Sequence, residues 1–281
     1  MSLKTEWVRY GPNREQSAFA AWPERAATPL PAVVVIQEVW GVDAHIEDVT
    51  RRFAQAGYAA FAPDLYARDG ERPAALARDR VAELQAFLNQ LPPGAWATVL
   101  RDPKARDEAL SRQPPEVRAR LVETMETLFA GISTGGLRLD GYVPALTSAT
   151  SFLRQDFAPT RGQKVGAVGF CMGGGLTALL ACHDAELSAA AIFYGGAPSE
   201  SLLPAIRCPL IGFYGALDPR VTGGVPAFSE ALRKAGKSFE PHVYEGAMHA
   251  FFNDTRPSYD VRAARDSFVR TLELFRRQLA A

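Results

Sequence analysis

The chain predicts a doubly wound α/β fold with a mostly parallel sheet. Ala32 to Ile36 is a continuous run rich in β-branched residues, the pattern of a parallel strand covered on both faces. Strand-like apolar runs alternate with helical periodicity along most of the chain, as crossover connections require. From Ala32 to Ala62 the pattern reads strand, helix, strand, a βαβ unit of about thirty residues.

Glu6 to Ala21 alternates weakly and predicts one or two antiparallel edge strands, closed by Trp22-Pro23. The Ala32–Ile36 strand ends at Gln37-Glu38-Val39-Trp40-Gly41. Asp43 then caps a helix with apolar positions at Ile46, Val49 and Phe53, and Gly57 suits its C-terminal turn. A second strand, Tyr58 to Ala62, stops at Pro63-Asp64-Leu65-Tyr66. Beyond it strand signals vanish until Leu139. Val81, Leu84, Phe87, Leu88 and Leu91 fall on one helical face, as do Leu121, Met125, Leu128 and Phe129, with prolines at 92, 93, 103, 114 and 115 as breaks. We expect one domain over residues 1–281 with a helical insertion at 67–139, serving either to cover sheet surface or as a cap over the site. Leu139 to Phe152 reads as the helix that returns the chain to the sheet. Strands are predicted at Lys164 to Gly169, Ala189 to Tyr194, Pro209 to Tyr214 and Phe239 to Glu245. Helices are predicted at Met172 to Cys182, Pro226 to Ala235 and Tyr259 to Leu279.

Composition excludes several classes of function. At 281 residues, 47% hydrophobic and 22% charged, the chain suits a soluble globular protein with a large core. Lys plus Arg equals Asp plus Glu at 31 each, which points away from nucleic acid and from an anionic membrane surface. The N-terminal MSLKTEWVRYGPN lacks the apolar core of a signal peptide, and no segment approaches the roughly 18 apolar residues of a membrane span. Three cysteines without paired spacing argue against disulfides and a zinc site, so a reducing, cytoplasmic setting is expected.

The chemistry centres on Gly169-Phe170-Cys171-Met172-Gly173, between a predicted strand and a predicted helix. This is the G-x-nucleophile-x-G pattern of a strand-to-helix elbow, with cysteine as the nucleophile. A sharp turn there needs glycine on both sides, and the helix that opens after Cys171 aims its positive end at the sulfur. The same glycines would also serve plain close packing of strand on helix. In open parallel sheets, reactive groups gather at the carboxyl ends of the strands, and four such loops carry Glu38, Cys171, Asp218 and His249. The order nucleophile, acid, histidine is that of α/β-hydrolases. The glycines at 166, 169 and 173 do not form G-x-G-x-x-G, which disfavours a dinucleotide-binding oxidoreductase. A hydrolase fold that has lost catalysis and serves as a binding module is the remaining alternative.

QEVWG (37–41), APDLYAR (62–68), VGFCMGGG (168–175), GALDPRV (215–221) and EGAMHAFFN (245–253) resemble the dienelactone hydrolase family, from about Ala32 to the C-terminus. The resemblance implies an α/β-hydrolase fold, a Cys171-His249-Asp218 triad and hydrolysis of small esters or lactones. It also implies that Glu38 keeps the resting thiol neutral until substrate displaces it; otherwise Glu38 reads as one half of a surface ion pair. On this view His249 takes the thiol proton, Asp218 fixes its tautomer, and the backbone N–H groups of Met172 and Val39 bind the oxyanion. No metal or organic cofactor is required. Trp40, Tyr66, Phe170, Phe251 and Phe252 either wall an apolar acyl pocket or pack the sheet edge. His45, His183, His242, Asp64, Cys182 and Cys208 have ordinary structural readings. Family members that act on dienelactone hold the substrate carboxylate with arginines, one of them four residues after the catalytic histidine. Here that position is Asn253, with Arg68 and Arg256 as candidate substitutes, so a broader ester or lactone substrate is expected.

Overall fold

The fold is described from a computed structural model, which covers residues 2–27, 29–92, 95–129 and 139–280. Two compact units emerge, one of residues 1–65 with 139–281 and one of residues 66–138.

The larger unit is built on an eight-stranded sheet. Its first strands, β1 (Leu3–Tyr10) and β2 (Gln16–Pro23), are antiparallel, with Pro23 paired to Leu3 at the end of the ladder. Trp22 and Pro23 thus belong to β2 and do not merely close it; proline is tolerated there because it ends the strand. β3 (Ala32–Ile36) is followed by helix α1 (Ala44–Gln55), and Asp43 caps α1 by accepting from the Ile46 N–H at 3.0 Å. β4 (Ala59–Pro63) then pairs parallel to β3 and antiparallel to β2.

The smaller unit contains α2 (Arg78–Asn89), α3 (Ala95–Arg101), α4 (Pro103–Leu110) and α5 (Pro115–Phe129). Val81, Leu84, Phe87 and Leu88 are buried on α2, and Leu121, Met125, Leu128 and Phe129 on α5, which packs against it. Arg120 on α5 grips Glu83 on α2 with two hydrogen bonds, at 2.7 and 3.1 Å. Leu91 lies beyond the end of α2 and is only partly buried. Pro93 and residues 130–138 of the expected insertion lie outside the described residues.

The chain resumes in α6 (Val143–Gln155), whose first turn is preceded by a short 3-10 turn at Leu139–Tyr142. Next come β5 (Val165–Phe170), α7 (Met172–His183), β6 (Ala189–Phe193) and β7 (Leu210–Gly215). The short α8 (Pro219–Thr222), α9 (Val225–Lys234), β8 (Phe239–Tyr244) and α10 (Val261–Leu279) complete it. The strand order is β1-β2-β4-β3-β5-β6-β7-β8, and every pairing from β4 through β8 is parallel.

Alternation along the strands divides the core. Val33, Val35, Val168 and Phe170 share one cluster with Ile46, Val49 and Phe53 of α1 and Leu274, Phe275 and Leu279 of α10. Val34 and Ile36 point the other way and are equally buried, on the side where α6 and α7 lie. Complete burial of such a side chain is worth roughly 1.5–3 kcal/mol, so the central strands are the best-anchored part of the unit. Being parallel, they all end at one rim.

Candidate active site

Cys171 sits at that rim, between β5 and α7, with φ 55° and ψ −114°. Few non-glycine residues adopt such a backbone, and it persists only where the surroundings impose it. Here they do: the Cys171 N–H donates to Phe193 O at 3.0 Å, and its carbonyl accepts from the Gly174 N–H at 3.0 Å. A Cβ at residue 169 would lie 2.0 Å from Gly173 O, and one at residue 173 would lie 2.2 Å from Ile36 O. Glycine at both positions is therefore what lets α7 start this close to β5 and β3. Thr177 locks the turn by donating to Gly173 O at 2.8 Å. The half-buried thiol stands at the head of α7, and Met172 is that helix's first residue.

The loop after β7 delivers Asp218, whose N–H returns to Gly215 O at 3.0 Å. The loop after β8 delivers His249, followed by Ala250 in a left-handed turn at φ 61°. The two meet at 2.5 Å between His249 Nδ1 and Asp218 Oδ2. Burial works against ionisation of Asp218, yet the bond and charge of His249, with Arg220 nearby, hold its carboxyl below the usual range. Burial likewise works against a charged His249, but the charge and hydrogen bond of Cys171, together with those of Asp218, raise its pKa to about 10. With Nδ1 committed to Asp218, the ring faces the thiol with Nε2. The three residues come from three separate loops and meet at one imidazole.

Glu38 lies two residues beyond the end of β3, and its side chain is almost fully buried. The contact expected between Glu38 and the thiol is not among its hydrogen bonds: Oε1 accepts from the Tyr194 hydroxyl at 3.3 Å and Oε2 from Asn253 Nδ2 at 2.8 Å. Nor is Glu38 one half of a surface ion pair. The turn it opens is closed by Gly41 N–H on Glu38 O at 3.2 Å, with Val39 and Trp40 between them.

The aromatic expectations need correction. Phe170, Phe251 and Phe252 are fully enclosed and belong to the core cluster, with Phe170 stacked on Phe252 at 5.1 Å between centroids. They support the site from behind and offer no wall to a substrate, because strand alternation turns Phe170 toward α1 and α10 and the Ala250 turn drives the next two rings inward. Trp40 stays beside the site, under the Arg256 guanidinium at 4.7 Å. Tyr66 is the first residue of the smaller unit, where Arg72 lies over its ring.

Two residues of the site escaped sequence reasoning: Tyr194, read only as the last residue of a strand, and Asn253, read only as a missing arginine. The rim position of Tyr194 was the available signal. The remaining candidates keep structural roles. His45 is buried 3.5 Å from Asp254, His242 lies 2.8 Å from Glu240, and Cys182 and Cys208 are buried thiols with pKa values raised by burial, to about 11 and about 12.

Among the described residues no helix is long and apolar enough to cross a membrane. The chain is 31% identical over 264 residues to a Saccharolobus solfataricus protein named "Putative carboxymethylenebutenolidase", covering 92% of this chain and 93% of that one. An Escherichia coli K12 protein of the same name is 30% identical over 270 residues, 92% of this chain and 81% of the relative. The fold matches the crystal structure of a "Putative Dienelactone Hydrolase" from Klebsiella pneumoniae with a TM-score of 0.70 and 26% identity, across 98% of this chain and 99% of the other. The model of the dienelactone hydrolase family matches residues 17–127 and 137–279, a span that takes in the Cys171 elbow and the loops of Glu38, Asp218 and His249. With an eight-stranded α/β-hydrolase sheet beneath them, these matches make the chain a member of the dienelactone hydrolase family.

Proposed function

We propose that this protein hydrolyses small carboxylic esters or lactones through a thioester on Cys171. One observation carries the reading: a cysteine held in a left-handed backbone at a strand-to-helix elbow faces an imidazole whose other nitrogen is 2.5 Å from a buried carboxylate. Cys171 attacks the ester carbonyl as thiolate, and the backbone N–H groups of Met172 and Val39 receive the developing oxyanion. A donor in that position is worth on the order of a hundredfold to a thousandfold in rate.

The raised pKa of His249 supports a division of labour in time. Its largest raising cause is the charge on Cys171. Acylation converts the thiolate into a neutral thioester and removes that charge, so the imidazolium gives its proton to the leaving alkoxide. His249 is then neutral and serves as base for the water that releases the acid. Asp218 holds Nδ1–H throughout and stabilises each imidazolium that forms.

The names of the relatives point to a lactone bearing a carboxylate, but the residue four beyond His249 is Asn253, and its amide nitrogen is bonded to Glu38. This favours neutral esters and lactones. Incubation with p-nitrophenyl acetate tests the reading: turnover is expected, lost in Cys171→Ala and kept in Cys182→Ala. A protein that releases no p-nitrophenol, or releases it equally well without Cys171, has another function.

A further inference from the structure

His45 is a buried polar side chain that the chemistry at the rim leaves unused. It is the second residue of α1, its side chain is 1% exposed, and neither ring nitrogen has a hydrogen-bond partner among the described residues. The ring stands edge-on to Phe170 and Phe252, at 6.3 and 6.5 Å between centroids. A polar ring among aromatic side chains is costly unless a bond or a charge compensates. The group placed to compensate is Asp254, whose Oδ1 lies 3.5 Å from His45 Nδ1. Asp254 is also held from a second side. Arg52, two turns further along α1, donates from Nη2 to Asp254 Oδ2, and Asp48 braces the same nitrogen at 2.5 Å from one turn back. Burial works against ionisation of Asp254, but the bond and charge of Arg52, with His45 beside it, hold its carboxyl below the usual range. Each oxygen of one carboxylate thus meets a different side chain of α1.

Both ends of this contact lead straight to the site. Val39 precedes His45 by six residues, and short turns close the stretch between them: Gly41 N–H donates to Glu38 O at 3.2 Å and Asp43 N–H to Gly41 O at 2.9 Å, before Asp43 caps α1. His249 precedes Asp254 by five residues, and that stretch also folds on itself. Asn253 N–H donates to Ala250 O at 3.0 Å, Thr255 N–H to Asn253 Oδ1 at 3.1 Å and Asp260 N–H to Phe251 O at 3.0 Å. With so little slack on either side, a displacement of Asp254 relative to α1 carries through to His249. Within the rim, Asn253 already bonds Glu38 at 2.8 Å, so the contact with α1 is the outer of two ties between these loops.

We propose that His45 and Arg52 tether Asp254 to α1 and thereby set where His249 stands relative to the backbone donor at Val39. All three are positioning residues, acting through the loop that carries the imidazole. The tether presupposes the cysteine-hydrolase reading and adds to it the side chains that hold base and oxyanion donor in register. Misplacing a reacting group by about 1 Å can cost on the order of a hundredfold in rate; with the inner tie intact, breaking the outer one should cost at least about tenfold. Stability should hardly respond. The side chains of Arg52 and Asp254 are 30% and 36% exposed, and ion pairs that open to solvent contribute little to folding. A fall in rate without a fall in melting temperature is therefore the signature of positioning.

The test is steady-state turnover of p-nitrophenyl acetate, with a thermal melt of each variant. Arg52→Leu and Asp254→Ala should each lower kcat at least about tenfold, with KM within about threefold of wild type and Tm within about 3 °C. Both remove the same contact, so the double variant should lose no more than about twofold beyond the worse single. Arg52 meets both carboxylates through Nη2 alone, so a lysine ammonium can stand in, and Arg52→Lys should stay within about threefold of wild type. His45→Leu should lower kcat in the same direction; should it not fold, the Arg52 and Asp254 variants decide. Arg233→Leu breaks an exposed ion pair with Glu230 on α9 and is the control that should change nothing.

Three results overturn the tether: Arg52→Leu and Asp254→Ala proteins with kcat within about threefold of wild type, losses confined to KM, or losses that only follow a fall in Tm of more than about 3 °C. Two single losses that multiply in the double variant, or an Arg52→Lys protein as impaired as Arg52→Leu, overturn it equally. Failure of the hydrolase reading looks different. A wild-type protein without turnover removes that reading and the tether with it. Turnover that is lost in Cys171→Ala but untouched in the Arg52 and Asp254 variants removes only the tether.

Discussion

A methyl group at position 173 would have to occupy space that backbone already fills. Its carbon would lie 2.2 Å from Ile36 O and 2.5 Å from Gln37 O, at the end of β3, where ordinary contact begins at roughly 3.5 Å. Neither oxygen can rotate aside, so α7 and β3 must part by about 1 Å. Overpacking of a well-filled interior costs about 1–3 kcal/mol, and a clash with two backbone groups belongs at the upper end. At 2–4 °C per kcal/mol for a domain near this size, Gly173→Ala should lower Tm by about 6–12 °C. Thermal unfolding followed by circular dichroism at pH 7 measures it. Gly196→Ala is the control, since Gly196 is exposed and a Cβ there meets nothing within 4 Å. The same variant should lose most of its esterase activity, because parting α7 from β3 moves Met172 N–H and Cys171 together away from Val39. A Gly173→Ala protein melting within about 2 °C of wild type would refute the view that the elbow is fixed by backbone contact with β3.

Asp218→Asn should keep the fold and lower kcat by about a thousandfold or more, since an amide next to Nδ1 cannot stabilise the imidazolium; a loss under tenfold would remove Asp218 from the mechanism. For an alkyl ester, whose leaving group needs the His249 proton, kcat/KM should hold up to about pH 9 and fall through about pH 10. The direction follows from the raised pKa: His249 keeps its proton until the pH climbs through about 10, where a free imidazole would have lost it near 6.5, so a midpoint near 7 would contradict it. Thr177→Val deletes a fully buried hydroxyl that bonds Gly173 O at 2.8 Å and should cost about 1–3 kcal/mol in thermal or denaturant unfolding; an unchanged midpoint would show that the turn is held without it.

The fold was legible where burial dictates residue type. Strands β3 to β7 fall within about two residues of the sequence pattern, because a strand covered on both faces is confined to apolar and small residues. β1 is mostly exposed and β2 runs two residues further than expected, through Trp22 and Pro23, so their ends were obscure. At the site, charged and nucleophilic residues at strand ends were readable because the parallel sheet brings all those ends to one rim. The facing of side chains was not. Phe170, Phe251 and Phe252 lie next to site residues in sequence, yet one strand step or one left-handed turn sends them into the core. Tyr194 and Asn253 went unnoticed because a neutral donor has no motif of its own: its meaning depends on which carboxylate it meets, and Glu38 is 156 and 215 residues away in the chain.

The most direct measurement is acid quenching during turnover of a slowly deacylating aryl ester, followed by digestion and mass spectrometry. The acyl group should be found on the peptide that contains Cys171, and it should be released by hydroxylamine as a thioester is. Acyl label on a serine, on Cys182 or on no peptide at all, with turnover continuing, would mean that the sulfur at the β5–α7 elbow is not where this protein does its chemistry.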